Sequence, residues 1–531
     1  MAGAFAEGRL CQANIRKNAE GDFIVKNCGK ATCALIFLGI SISMFWCATR
    51  VQAQEQLPYD RHAIFVTHVA HVNTHIDTKS GGPAGTIQPP NPAVIVGPEY
   101  KVASVVKATT SVPAAEEEIA ADPRNASNLV AAISDFSQRG GFNTTKYSFS
   151  LNNGAAWKEA FVPTNGSGSL TTSDGNVWDA NSDPVVVIDN AGHVYLSSLY
   201  LDAVAVSNGL YVGVGTLDPT GGVSFMAFNA VATNPSLSPN FSEDKPWIAV
   251  DNSSSAFTGN VYASWTRFVG NSLTGLTSDS IVFSRSTNLG NTWSSSPMRI
   301  SLAAQDGAVQ GSQVAVGHDG TVYVAYEVFY VGGKRQHFMA KSMNGGASFN
   351  TPVAITPFFN DLTFKSTYRK NSFAAMAASP ANGDVFVVYS DQPSSTLGAQ
   401  IEFIHSVDGS NFTKPVAIND NSNGQQFFPA IATDSLGSVH VSWFDTRNAK
   451  GSSQYDIYAT YSKDNGSTFG TNARVTPSLI NAGRSSFIGD YAGIAAGIAT
   501  SGTVTTTFAH PVWTSGGFNN GTLQTATLTL P

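Results

Sequence analysis

The chain has 531 residues, of which 13% are charged, with 49 glycines and a formal net charge of −7. So little charge, with abundant Gly, Ser, Thr and Asn, suits turn-rich β-structure and excludes a charged helical protein. The acidic balance argues against nucleic acid and anionic membrane surfaces as partners.

The first element in chain order is Ala31 to Ala48, an 18-residue run without charge. Lys26 and Lys30 flank it on one side and Val51-Gln-Ala53 on the other. This is the pattern of a secretory signal cleaved after Ala53, so residues 1–53 are expected to be a signal peptide. A membrane anchor is the alternative, since 18 apolar residues can just span a bilayer. Secretion, to the outside, the periplasm or the cell surface, is the expectation. Cys11, Cys28, Cys33 and Cys47 all lie in this leader. The mature chain then has no disulfide, and packing must carry its stability. The leader holds six Lys/Arg and three Asp/Glu of the chain's 30 and 37, which leaves 24 against 34, a net charge of −10. A monomer with no membrane contact after cleavage is expected.

Residues 54–124 read as an N-terminal extension or linker. Gly81-Gly-Pro-Ala-Gly85 and Pro89-Pro-Asn-Pro92 are linker-like. His62, His68, His71 and His75 cluster here; the last three would share a helical face able to hold zinc, and the plainer reading is a partly ordered leader. Glu116-Glu-Glu118 reads as a solvated acidic run.

Residues 125–531 carry a repeat. The pattern Ser-x-Asp/Asn-x-Gly-x-x-Trp/Phe begins at Ser150, Ser286, Ser342 and Ser462, and a copy one residue short begins at Ser406. The serines lie 136, 56, 64 and 56 residues apart, so one repeat without the box sits in the first gap. A fixed period of this size marks a propeller or solenoid. The Asp or Asn closes a tight turn, the Gly supplies a positive-φ position, and the aromatic packs back into the sheet. Before each box come two short apolar strands, as in Lys245-Pro-Trp-Ile-Ala-Val-Asp251 with Gly259-Asn-Val-Tyr-Ala-Ser-Trp265. Four strands per repeat make a propeller blade. The expected fold is all-β, a β-propeller of four-stranded blades, with seven favoured and six possible. The repeat cores fall near 125–157, 183–228, 244–293, 312–349, 371–412, 427–469 and 487–529. In the second, Leu217-Asp-Pro-Thr-Gly-Gly222 takes the place of the box.

The boxes and blades resemble the sialidase-type BNR/Asp-box propeller proteins. Trp443-Phe-Asp-Thr-Arg447 and Phe487-Ile-Gly-Asp-Tyr491 resemble secreted bacterial exo-α-sialidase-like members of that group. The resemblance implies that the boxes are not catalytic and that chemistry belongs at the central mouth. It also implies a Tyr nucleophile polarised by a Glu, an Asp acid/base, and arginines that clamp a substrate carboxylate. The early Arg-Ile-Pro motif of known sialidases is absent; the only Arg-Ile pair is Arg299-Ile300.

Candidate catalytic residues are Asp490, Tyr491, Asp445, Glu327 and Asp244; candidate substrate-binding residues are Arg447, Arg267, Lys245 and Trp443. Arg335 and Arg369 could join the arginines. Arg267, Glu327, Asp391 and Asp445 each follow the second strand of successive blades, which would bring them to one face. The plain alternative is structural: Asp445 with Arg447 as a salt bridge, and Asp244 and Asp490 capping strand ends. No cofactor is expected. Asp174, Asn176, Asp179, Asn181 and Asp183 alternate in a loop that could hold calcium, although no Glu completes an EF-hand pattern.

Three functional readings follow. The first is a secreted sialidase-like glycoside hydrolase acting on terminal, acidic sugars. The second is a non-catalytic extracellular propeller binding a glycan, glycoconjugate or protein. The third is another carbohydrate-active enzyme, such as a lyase, on the same scaffold.

Overall fold

The computed structural model describes residues 15–17, 23–25 and 91–531, apart from 111–113, 138–143, 165–168, 203–206, 219–221, 235–240, 272–274, 395, 485–486 and 518–519. The chain divides into two units, Met1–Leu57 and Pro58–Pro531. In the first, Ile15–Lys17 pairs antiparallel with Phe23–Val25. The apolar run at 31–48, the four cysteines and the histidines at 62–75 lie outside the described residues.

The second unit is a seven-bladed β-propeller. The blades span 114–161, 180–234, 241–299, 309–354, 375–417, 426–474 and 494–529, and the first six are antiparallel meanders of four strands. In the seventh, Ile494–Ser501, Val504–Ser515 and a third strand split into Thr522–Thr525 and Leu528–Thr529 are completed by a fourth strand from 101–107. Each innermost strand lies against those of the blades on either side, and that of blade 7 meets that of blade 1. This closes the ring and leaves only outer edges exposed. The second strands carry buried apolar side chains, such as Val261, Ala263 and Trp265 in blade 3 and Val439, Val441 and Trp443 in blade 6. The apolar clusters form between blades: Tyr262 and Phe283 of blade 3 pack with Val314 and Tyr326 of blade 4. Blade 7 packs likewise on blade 1 through Val512, Leu129 and Ile133.

Blade 1 starts earlier than its sequence suggests. Its innermost strand is Ala114–Asp122, within the stretch read as linker. Glu116, Glu117 and Glu118 are buried there, not solvated, because this strand faces the propeller axis and blade 7. Further upstream, the chain runs along the outer edges of the last three blades. Asn91–Pro92 pairs parallel with Val416–Ala417 of blade 5, and Ile95 bridges Phe469 of blade 6. Lys101–Val102 then pairs with Leu528–Thr529, and Val106–Lys107 with Gln524–Thr525, both in blade 7.

The boxes are one turn repeated. The Ser hydroxyl accepts from the Gly N–H at 3.0 Å in Ser150–Gly154, 2.9 Å in Ser286–Gly290 and Ser342–Gly346, and 2.8 Å in Ser462–Gly466. The Asn288 carbonyl oxygen accepts from Thr292 N at 2.9 Å, and the Asp464 carboxylate from Thr468 N at 2.8 Å. The short fifth copy uses Asp408 to accept from Ser410 N and Asn411 N, both at 2.8 Å. The box aromatic packs on the preceding blade rather than its own sheet: Phe349 meets Phe283 at 4.8 Å and Phe469 meets Phe403 at 5.1 Å. The boxes therefore tie blades together. They close the third strand, so they lie at the end of the ring opposite the starts of the innermost strands.

Candidate active site at the propeller mouth

A recurring backbone irregularity builds the mouth. Near the start of the innermost strand, the pairing register slips at Glu116 in blade 1, and between Ser182/Val185, Asp244/Trp247, Gln310/Gln313 and Phe427/Ala430 in blades 2, 3, 4 and 6. In each bulge one residue has positive φ: Glu116 (62°), Asp183 (52°), Lys245 (47°), Gly311 (66°) and Phe428 (48°). The remaining non-glycine positive-φ residues, Asn153, Leu289 and Asn465, are box positions. A bulge bends a strand and re-aims a side chain, here at the axis. Left-handed backbone in a Glu, an Asp, a Lys and a Phe costs energy and persists only where its surroundings enforce it. Proline follows in three of the five, at Pro184, Pro246 and Pro429; it cannot donate to the ladder and so marks the bulge.

Gly311 shows why the ring is not uniform. A Cβ at this position would lie 2.3 Å from the Phe373 ring. Blade 5 sends Phe373 into the space that a blade-4 side chain would fill.

These bulges concentrate carboxyl groups on the axis. Glu116 and Asp183 hydrogen-bond through their side chains. Burial, with Asp183 and Asp490 nearby, pushes the Glu116 carboxyl well above its ordinary range. Burial and the same two carboxylates push Asp244 up to about 8. The Asp490 carboxylate is held by both nitrogens of the Arg369 fork, with Arg369 Nε at 2.8 Å from Oδ1. Asn371 Nδ2 donates to the Asp490 carbonyl at 2.9 Å.

Lys245 extends among three aromatic rings. Its Nζ lies 4.1 Å from the Tyr491 ring centre, 5.2 Å from Phe373 and 5.8 Å from Trp247. Burial lowers its pKa, against the pull of Asp490, Asp183, Glu116 and Asp244. The Tyr491 hydroxyl donates to the Pro184 carbonyl at 3.2 Å, and burial, then Glu116 and Asp183, push its pKa far up.

Beside this ring opens a cleft of about 320 Å³. Its carboxyl groups are Asp244, Glu327, Asp361 and Asp490, and its cations are Lys245, Arg335, Arg369 and Lys370. Glu327 is almost wholly buried. It accepts from Ser372 Oγ at 2.9 Å, meets His337 Nε2 at 3.1 Å and pairs with Arg335 Nε at 3.3 Å. Arg335 also reaches Asp361 at 2.6 Å. Past Phe373 the cleft continues along the axis to a void of about 10 Å³ between Lys245, Phe428 and Tyr491, room for one water.

Of the residues singled out by sequence, Asp244, Lys245, Glu327 and Asp490 line this cleft and Tyr491 lines the void. Five others, Asp445, Trp443, Arg447, Arg267 and Asp391, form local sets outside it. Asp445 accepts from Trp443 Nε1 at 2.9 Å and from Arg447 Nε at 2.9 Å, while Arg447 also reaches Asp420 at 2.7 Å. Arg267 Nη2 lies 2.5 Å from the buried Glu243, which also takes Trp265 Nε1. Asp391 accepts from Asn360 N. The loop residues do not converge either: Asp174 bonds Thr172, Asn176 and Tyr211, Asn181 accepts from Thr145 N, and Asp183 sits on the axis. Among the described residues no group of three His, Cys, Asp or Glu is placed to hold a metal ion. Sequence reading missed Glu116, and it considered Asp183 only as a calcium ligand. For Asp183 the signal present was the X-Pro pair that recurs at the head of inner strands, at Pro184, Pro246 and Pro429; Glu116 has no such proline.

No family model matches the chain, and no curated protein matches it. Solved structures do. An α-L-arabinanase of Penicillium chrysogenum aligns at 10% identity over 80% of this chain and 98% of its own, with a TM-score of 0.42. A Hadza microbial sialidase aligns at 13% identity over 82% and 98%, also with a TM-score of 0.42. A PL25 ulvan lyase aligns at 10% identity over 75% and 89%, with a TM-score of 0.39. Likeness this distant carries no argument about activity, which must come from the mouth itself.

Proposed function

We propose that the propeller mouth is the active site of a glycoside hydrolase acting on a saccharide with an acidic group. One observation carries this reading: a buried carboxyl group, Glu327, and a half-buried one, Asp244, share one cleft in different surroundings. Asp244 is pushed to about 8 and so holds its proton at neutral pH, as a general acid must. Glu327 faces a guanidinium and a hydroxyl donor, the surroundings of an accepting carboxylate. In this scheme Asp244 protonates the leaving glycosidic oxygen. Glu327 acts on the other side, as base toward water or as nucleophile. Arg335, Arg369 and Lys370 would bind the substrate's acidic group. The buried Tyr491 hydroxyl, engaged by a backbone carbonyl, fits a supporting position better than a nucleophile.

A binding-only propeller is the second reading, favoured by the pairing of Arg335 and Arg369 with Glu327, Asp361 and Asp490. Arginines already neutralised leave less charge for a substrate. In either case the leader supports secretion and a glycan partner outside the cytoplasm.

The test is turnover of a panel of neutral and acidic glycosides by the full chain, Asp244→Asn and Glu327→Gln between pH 4 and 9. Both variants should lose about 10²–10⁴-fold in rate while still binding oligosaccharide. Wild-type activity should fall as pH rises through about 8, where Asp244 loses its proton. Binding without turnover on any glycoside would move the protein to the second reading. A product carrying the ultraviolet absorbance of an unsaturated sugar would make it a lyase.

A further inference from the structure

The mouth holds a second chemical group that glycoside cleavage does not use. Lys245 is a primary amine at the head of an inner strand, aimed at the axis by its left-handed backbone. Its side chain borders both the cleft and the axial void. Most charged side chains in the mouth are matched: Arg335 by Glu327 and Asp361, Arg369 by Asp490. The Lys245 Nζ has no hydrogen bond and no ion pair among the described residues; its near neighbours are the faces of Tyr491, Phe373 and Trp247. An amine set against aromatic faces and largely withdrawn from water is the setting in which a lysine becomes nucleophilic. Its neighbour in sequence, Asp244, lines the same cleft and can supply and recover a proton.

We propose that Lys245 captures small aldehydes as an imine, making the mouth a carbonyl-binding site in addition to its reading as a saccharide cleft. The neutral Nζ attacks the carbonyl carbon and the C–N bond forms. The carbonyl π pair moves to oxygen, which takes a proton from Asp244, and the nitrogen returns one to the carboxylate. In the second step Asp244 protonates the carbinolamine hydroxyl, which leaves as water while the nitrogen lone pair forms the C=N bond. The nitrogen then gives its proton back to Asp244. Amine and aldehyde become imine and water, and Asp244 is restored. The chemical class is an unhindered aldehyde, including the open-chain form of a reducing sugar.

Burial favours the neutral amine, while Asp490, Asp183, Glu116 and Asp244 oppose it. That opposition is blunted on this axis: Asp490 is matched by Arg369, and Glu116 and Asp244 are held toward their protonated forms. Tyr491, the nearest ring, is likewise held protonated.

The experiment treats the full chain with glycolaldehyde and sodium cyanoborohydride at pH 6 to 8 and maps the reduced adduct by peptide mass. Lys245 should label about tenfold faster than solvent-exposed lysines, as its larger neutral fraction requires. Lys245→Arg should abolish that adduct and leave the slow surface labelling unchanged. Asp244→Asn should slow labelling at Lys245 alone. Uniform labelling of all lysines, or an unlabelled Lys245 peptide beside labelled surface peptides, would overturn the proposal. The wild-type map alone decides this if the variants fail to fold. The outcome does not depend on glycoside turnover, so the two readings stand or fall separately.

Discussion

At the residue scale, the molecule concentrates carboxyl groups where water is scarce. Glu117 and Glu118 are each pushed to about 8, chiefly by burial, as is Asp244. Only Glu117 has strong compensation, accepting from Thr514 N and Oγ1 at 2.7 Å and so fastening blade 1 to blade 7. A carboxyl raised above its unfolded value binds its proton more tightly when folded. Its stabilising contribution is complete below about 4.5 and disappears as pH rises through about 8. The propeller is therefore expected to lose stability from mildly acidic toward alkaline pH. Glu118→Gln keeps an acceptor for Ile119 N but cannot ionise. Thermal denaturation across pH 4 to 9 should show the variant matching wild type at the acid end and melting higher above pH 8. Parallel curves at every pH would show that Glu118 does not contribute to the slope.

At the element scale, the inner-strand bulge is the device that turns a structural ring into a mouth. A regular ladder would alternate side chains between the two faces of each blade. The extra residue in each bulge breaks that alternation and presents Glu116, Asp183, Lys245 and Phe428 to the axis. Blade 4 offers Gly311 instead, because the Phe373 ring occupies the same space. Gly311→Ala combines a left-handed backbone with a collision, and should cost about 1–3 kcal/mol in urea denaturation. Phe373→Ala should recover part of that loss when combined with it, since the two residues compete for one volume. Additive losses would show that the strain lies in the backbone alone.

At the scale of the whole molecule, ring closure rests on the join between the two ends of the propeller. Six blades are made of consecutive strands, but the fourth strand of blade 7 comes from the far end of the chain, as Lys101–Val102 and Val106–Lys107. The same N-terminal segment also fastens the outside of blades 5 and 6 through Asn91–Pro92 and Ile95, and its Lys101–Val102 pairs with Leu528–Thr529 of blade 7. Tyr100 anchors it, with its hydroxyl 2.6 Å from His440 Nδ1 and its ring 5.0 Å from that of Tyr461. Leu528 is fully buried in the cluster spanning blades 6 and 7. Leu528→Ala should destabilise the fold by about 2–5 kcal/mol. Limited proteolysis should then cut first within 93–110. Cutting elsewhere first would place the weak point of the ring outside this clasp.

The repeat, its period and its turns were written locally, and so was the architecture. A Ser, an Asp or Asn and a Gly at fixed spacing specify one turn through hydrogen bonds within seven residues, and five such boxes at a regular period leave little choice but a propeller. The strand pairs Lys245–Asp251 with Gly259–Trp265 were legible for the same reason, since alternation and turn residues are short-range signals. The mouth was legible only in part. Asp244, Lys245, Glu327, Asp490 and Tyr491 stood at strand starts and ends that any propeller brings to one end. Asp445 and Arg447 stood at equivalent positions, yet they satisfy each other and Asp420, and no local pattern separates the two cases. The burial of Glu116–Glu118 was hidden for a deeper reason: three successive glutamates are a surface signal by composition, and only the closing of blade 7 against blade 1 puts them in the interior. Which carboxyl groups are desolvated, and which arginines are already paired, depends on residues hundreds of positions apart. Desolvation and ion pairing act through space, and only the closed ring sets those distances.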